Sequence, residues 1–194
     1  MHHYEYARKS QGTQKKALKK YAWLFLGGLT SESIEARYLL LEFLTKRYAY
    51  TGRLEKDELS KPIPLIVEGK KLYWSLSHTK KYVGFVVDST PTGIDIVEIE
   101  ERDRALLDTH RQGEYAFLGM KNWENFCILW SAKEAIIKAN GATLESMKEI
   151  VLRGKKNNDL HIFDFGGQRC TISVEQGTDY IISIYLPSEY ESSI

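Results

Sequence analysis

The stretch from Asn122 to Asn140 constrains this chain more than any other. Trp123, Phe126, Cys127, Trp130 and Ile137 recur at helical spacing, Leu129 and Ile136 widen the apolar stripe, and Gly141 follows as a stop signal. A helix with so broad an apolar face has to be covered. Three strand-like segments follow it, Leu160 to Phe165, Cys170 to Glu175 and Tyr180 to Leu186, separated by Gly-Gly and Gln-Gly-Thr turns. A helix laid on a small antiparallel sheet is therefore the expected building block.

The first part of the chain repeats that order. Gln14 to Leu29 reads as a helix with a basic start ending at Gly27-Gly28, and Ile34 to Tyr48 as a second, with Leu40, Phe43 and Leu44 at helical spacing. Leu72, Trp74 and Leu76 alternate as in a strand, Tyr82 to Val87 forms another, and the turn Ser89 to Thr92 feeds a third, Gly93 to Val97. The expected fold is α+β, with two pseudo-symmetric halves, 1–92 and 93–194, each a helix on a small antiparallel sheet, and an active site in the cleft between them. No residue-level repeat accompanies the doubled pattern.

Among 194 residues, 43% are apolar, with 12 Tyr, 7 Phe and 4 Trp, which suffices for a packed core and excludes a disordered chain. A net charge of +1, from 27 basic and 26 acidic residues, gives no global pull toward nucleic acid or membrane, so any anion site is local. Cys127 and Cys170 lack metal-type spacing and read as reduced core residues of a cytoplasmic protein. The first residues lack the apolar core of a signal peptide, and Tyr21 to Leu29 is too short to span a bilayer.

Two elements carry chemistry. Asp95 sits among the apolar residues of Gly93-Ile94-Asp95-Ile96-Val97, where an ionised carboxylate without a partner costs several kcal/mol or more. It needs a cation or a hydrogen-bond donor; a loop cap or an arginine partner would serve as well as a metal. In Trp130-Ser131-Ala132-Lys133-Glu134-Ala135-Ile136-Ile137-Lys138, the positions Ser131, Glu134 and Lys138 form one polar line at i, i+3 and i+7 on an otherwise apolar helix. Taken alone, Glu134 and Lys138 would be an ordinary surface pair at i,i+4. Together the two elements suggest a hard divalent cation on Asp95 and Glu134, with Lys133 and Lys138 on the phosphates that the cation also binds.

Gly93-Ile94-Asp95 followed by Trp-Ser-Ala-Lys-Glu-Ala-Ile-Ile-Lys resembles the two-part signature of the 4'-phosphopantetheinyl transferases. Lys61-Pro62, Tyr73 to Thr79 with its Ser77-His78 element, and Glu35-Ala36-Arg37-Tyr38-Leu39-Leu40 resemble the upstream motifs of the larger, surfactin-synthetase-activating type. The resemblance implies a magnesium-dependent enzyme that moves the phosphopantetheine arm of coenzyme A onto a serine of an apo acyl or peptidyl carrier protein, releasing 3',5'-ADP. It places magnesium, or manganese, on Asp95 and Glu134. Arg37 and His78 would meet the coenzyme's phosphates, with Ser77 beside His78; Lys61 and Pro62 would lie beside the nucleotide; Lys133 and Lys138 would neutralise the pyrophosphate. Asp95, Glu134 and Lys138 would be the catalytic residues, with Glu134 as general base.

The chain departs from the larger type at Val97, where a third acidic ligand is common. Glu98 comes next, but a regular strand would turn it to the face opposite Asp95, so water is expected to complete the metal shell. A carrier protein would bring an acidic helix, for which Arg104, Arg111, Phe117, Met120 and Lys121 are candidate receivers. Lys15, Lys16, Lys19 and Lys20 are further candidates for the coenzyme's 3'-phosphate. The doubled halves imply a monomer, with neither nucleic acid nor membrane as partner. The alternative reading is a coenzyme A or carrier-protein binding module without catalysis, which Val97 favours and the presence of Asp95, Glu134 and Lys138 opposes.

Overall fold

The computed structural model describes residues 3–8 and 31–187. The helix expected over Gln14 to Leu29, with Lys15, Lys16, Lys19 and Lys20, lies outside them. The chain divides into two compact units, Met1–Pro91 and Thr92–Ile194.

In the first unit, β1 (His3–Arg8), β2 (Leu65–Val67), β3 (Lys70–His78) and β4 (Tyr82–Asp88) form one antiparallel sheet in the order β1-β4-β3-β2. Helix α1 (Ser31–Tyr48) packs on β3 and β4. Its Leu40 and Leu44 are fully buried against Trp74, Phe85 and Val87, so the helical spacing and the strand alternation meet in one core. The Trp74 indole N–H donates to the Ile63 carbonyl at 2.8 Å, which satisfies the one polar atom this side chain takes inside. β1 and β2 were not foreseen: the first is short and polar, and the second is three residues long, and each exists by pairing with a longer neighbour.

The second unit starts with β5 (Ile94–Glu98) and continues through α2 (Gln112–Leu118), α3 (Trp123–Asn140), β6 (Val151–Lys155), β7 (Leu160–Phe165), β8 (Gln168–Gln176) and β9 (Tyr180–Leu186). The sheet is antiparallel throughout, in the order β5-β9-β8-β7-β6, so the first strand of the unit ends up beside the last. Helix α3 lies across β5, β9 and β8. The Asn122 side chain caps its start by accepting from the Asn125 amide at 2.9 Å, and Gly141 ends it in the left-handed conformation at φ 60°. Phe126, Leu129 and Ile136 are buried against Phe163, Ile172 and Ile181, with Cys127 and Cys170 in the same core as free thiols.

The α+β expectation holds, with a helix on an antiparallel sheet in each unit. The charged stretch after β5 is more structured than its composition suggests. It holds a 3-10 segment at Arg104–Thr109, capped by Asp103, and then α2. Among the described residues no helix is long and apolar enough to cross a membrane.

Candidate active site

The second unit brings its polar residues together where α3 crosses β5. That crossing is close because residue 93 has no side chain: a Cβ there would collide with the Ala135 carbonyl oxygen and lie 2.9 Å from the Ala139 amide nitrogen. The Gly93 carbonyl accepts from the Tyr185 amide at 2.9 Å, which extends the β5–β9 ladder to the same point. Backbone contact between helix and strand is what lets a lysine near the helix end reach into the strand.

That lysine is Lys138. Its ammonium donates to Asp95 Oδ1 at 2.7 Å and to the Ile94 carbonyl at 3.0 Å. The Asp95 side chain is 10% exposed and that of Lys138 29%, so the pair sits at the edge of the core with its outer side open. Glu134, one turn earlier on α3, is half-buried. Burial pushes its carboxyl above the ordinary glutamate value, the Asp95 charge pushes the same way, and Lys138 only partly offsets them. The two carboxylates thus lie near enough to repel, with Lys138 paired to Asp95 and attracting Glu134.

Ser131 completes the polar line. Its hydroxyl lies 2.7 Å from the Ser183 hydroxyl, and both residues are fully buried. Ser183 is the cross-strand partner of Asp95, so this contact ties α3 to β9 directly beside the carboxylate. Sequence reading missed Ser183, because nothing local distinguishes one serine in an apolar strand.

Lys133, expected on the pyrophosphate, is turned elsewhere. Successive helix positions point roughly 100° apart, so Lys133 and Glu134 do not share a face. The Lys133 side chain is 3% exposed, and its ammonium pairs with Glu114 of α2 at 2.9 Å. Burial pushes the Glu114 carboxyl up, but the Leu152 amide, Lys133 and the Arg111 amide together hold it below its usual value. This buried ion pair joins α2, α3 and β6. Its one sequence signal is the capping arrangement at the start of α2, where the Glu114 carboxylate accepts from the Arg111 amide.

Val97 is 7% exposed and belongs to the core under α3, alongside Phe126 and Leu129. Glu98 is buried on the alternate parity of β5. Among the described residues no group of three or more His, Cys, Asp or Glu side chains stands together as a metal cluster. Asp95 and Glu134 are a two-carboxylate set, and their mutual repulsion under partial burial favours a cation between them. Such a set fits magnesium, which takes one or two carboxylates and completes its shell with water and phosphate oxygens.

The remaining candidates lie in the first unit. Arg37 on α1 is 7% exposed, donates from Nη1 to the Leu54 carbonyl at 3.2 Å and has a buried Nε without a partner among the described residues. Burial lowers its pKa from the ordinary arginine value. Lys61 and Pro62 follow a turn closed by Asp57, whose carboxylate accepts from the Lys61 amide at 2.8 Å. Ser77, buried, and His78, exposed, end β3 opposite Gly84 and Val83.

A family model described as the 4'-phosphopantetheinyl transferase superfamily matches residues 91–185. Over 83 residues the chain is 36% identical to a Bacillus pumilus protein named 4'-phosphopantetheinyl transferase psf-1, across 40% of this chain and 36% of that one. The alignment thus spans little more than a third of the curated relative's length. The family match runs through the second unit from before Gly93 into β9, and so takes in the β5 aspartate, the α3 polar line and the crossing that joins them. Residues 91–185, nearly all of the second unit, thus match the 4'-phosphopantetheinyl transferase superfamily.

Proposed function

We propose that the chain transfers the 4'-phosphopantetheine group of coenzyme A to a serine of an apo acyl or peptidyl carrier protein, with magnesium as cofactor. The observation that carries this reading is the seam of Asp95, Glu134 and Lys138, two carboxylates and an ammonium gathered on a family-matched crossing of strand and helix. The serine Oγ forms a bond to the phosphorus that bears pantetheine, the bond from that phosphorus to the bridging pyrophosphate oxygen breaks, and 3',5'-ADP leaves with the electron pair.

Glu134 takes the serine proton, a role suited to a carboxylate whose pKa is raised toward the working range. Lys138 holds Asp95 in place and lends positive charge to the pyrophosphate as the bridge breaks. Asp95 and Glu134 would hold the magnesium, whose charge would further neutralise the pyrophosphate. In the first unit, Arg37 and His78, with Ser77 beside His78, are assigned to the coenzyme's phosphates, and Lys61 and Pro62 to its nucleotide. Arginine offers a fixed fork of donors and lysine a point charge, which suits these assignments.

The carrier is assigned to the surface around α2. Phe117 is 47% exposed and Met120 62%, with Arg104, Arg111 and Lys121 on the same connector, an apolar and basic mixture suited to an acidic helix. The reading carries with it a monomer acting in the cytoplasm. Intact mass of several apo carrier proteins, after incubation with the chain, coenzyme A and magnesium, tests it. A gain of one phosphopantetheine group that disappears with Glu134→Ala supports the transfer. Coenzyme A binding without any gain on any carrier points to a binding module, and absence of coenzyme A binding overturns both.

A further inference from the structure

We propose that Glu114 and Lys133 are positioning residues whose buried ion pair docks α2, the helix around which the carrier protein is assigned, against the turn of α3 that carries Glu134. The pair holds the carrier's landing surface in a fixed relation to the general base, and Lys133 serves the acceptor protein's side of the reaction, not the coenzyme's phosphates. What the pair does for catalysis rests on the transfer reading; the docking of α2 rests on geometry alone.

Of the residues of α2, Glu114 and Tyr115 are the buried ones. The Tyr115 ring joins the core, and its hydroxyl donates to the Leu107 carbonyl at 2.9 Å, within the connector itself. Glu114 supplies the directional hold. Its carboxylate accepts from the Leu152 amide of β6 at 2.9 Å, from the Arg111 amide at 3.0 Å, and from the Lys133 ammonium on its two oxygens at 2.9 and 3.0 Å. One side chain thus bonds to the start of its own helix, to the sheet and to α3. Further polar ties lie at the ends of α2, where Asn125 Nδ2 donates to the Leu118 and Met120 carbonyls and Arg111 Nη2 to the Lys148 carbonyl.

Taking two charges out of water offsets most of their attraction, and apolar residues of similar volume often replace a buried pair without loss of stability. Apolar contacts lack direction. A carboxylate gripped from three elements fixes both the rotation of α2 and its distance from α3. Lys133 is the chain neighbour of Glu134, and successive helix positions point roughly 100° apart, so the lysine that grips α2 also fixes how far round α3 Glu134 is turned. Phe117, 47% exposed on α2, and Met120, just beyond it, are carried by the element so fixed. A lysine side chain that is 3% exposed presents almost no surface to a phosphate.

The test compares the full chain with Glu114→Gln/Lys133→Met, which removes both charges. Calorimetry with coenzyme A and magnesium should give the same Kd within about twofold for the two proteins, while KM for the apo carrier protein that the chain modifies rises about tenfold with kcat nearly unchanged. A variant that is merely less well folded would lose kcat at constant KM. Hydrogen exchange should show the α2 amides losing about tenfold in protection while those of α3 and β8 keep theirs. Coenzyme A binding weakened about tenfold would put Lys133 on the phosphates and overturn the proposal, as would an unchanged carrier KM or unchanged protection of α2. If the unaltered chain modifies no carrier, the transfer reading falls, and the exchange measurement still decides whether the pair docks α2. Should the double variant fold poorly, Lys133→Met alone, in which the Leu152 and Arg111 amides still hold Glu114, is measured in the same way.

Discussion

Lys138 reaches 43 positions back along the chain to place its ammonium 2.7 Å from Asp95 Oδ1, and the same ammonium lowers the Glu134 pKa against burial and Asp95, which raise it. The lysine therefore pairs with one carboxylate and lowers the pKa of the other. Glu134 is raised by burial and by Asp95, so its ionised fraction should grow through a pH above the ordinary value of 4.5. Lys138→Met removes the lowering influence and should move the midpoint up; Asp95→Asn removes a raising one and should move it down. Carboxyl-carbon NMR titration of Glu134 in the whole chain checks both, and equal midpoints in all three proteins would break the proposed coupling.

The crossing that allows this contact rests on one missing side chain. Gly93→Ala would drive a methyl into the Ala135 carbonyl, and neither backbone can yield without moving α3 off β5. Overpacking of this kind costs about 1–3 kcal/mol. Thermal unfolding should show that loss, and the Glu134 midpoint should change with it, because Lys138 would no longer lie against Asp95. A variant as stable as the parent, with the midpoint unmoved, would show that the crossing has slack.

Much of this arrangement was legible from residue order. The stripe on α3, its cap at Asn122 and its stop at Gly141 are local signals, and they mark the helix because capping and periodicity act within a few residues. The polar line of Ser131, Glu134 and Lys138 could be read the same way, and the structure does bring Glu134 and Lys138 to Asp95. Partners supplied from a distance could not be read. Glu114 is one residue among several acids in a charged stretch, and only folding shows that Lys133 turns toward it, away from the seam. β6 was missed because Val151-Leu152-Arg153-Gly154-Lys155 does not alternate cleanly and its pairing with β7 carries a bulge between Leu152 and Gly154.

The Glu114–Lys133 pair should reveal itself in a double-mutant cycle. Glu114→Gln leaves an ammonium buried without its counter-charge, and breaking a buried pair from one side costs about 3–5 kcal/mol. Lys133→Met strands the carboxylate, although the Leu152 and Arg111 amides still donate to it. The double change Glu114→Gln/Lys133→Met removes both charges and should recover much of the loss. Denaturant unfolding of the four proteins measures the coupling, and strictly additive losses would show that the two side chains do not act as a pair.

His110 gives the clearest dependence of stability on pH. It is 5% exposed, its ring packs against Tyr115, Phe126 and Trp130, and neither ring nitrogen has a partner among the described residues. Burial first, and Lys133 second, hold its pKa down to about 4 against the ordinary 6.5, with Glu114 opposing. A histidine depressed in the folded state takes up its proton more readily when unfolded. Its contribution is therefore complete above pH 6.5 and is lost as pH falls toward 4, by about 3 kcal/mol from a shift of this size. His110→Phe keeps an aromatic ring in the cluster and removes the titration. The unfolding free energy of the parent should climb between pH 4 and 6.5 more steeply than that of the variant, while His161, depressed to the same level, contributes equally to both. Parallel curves for the two proteins would mean that His110 meets water or a proton acceptor in the folded chain.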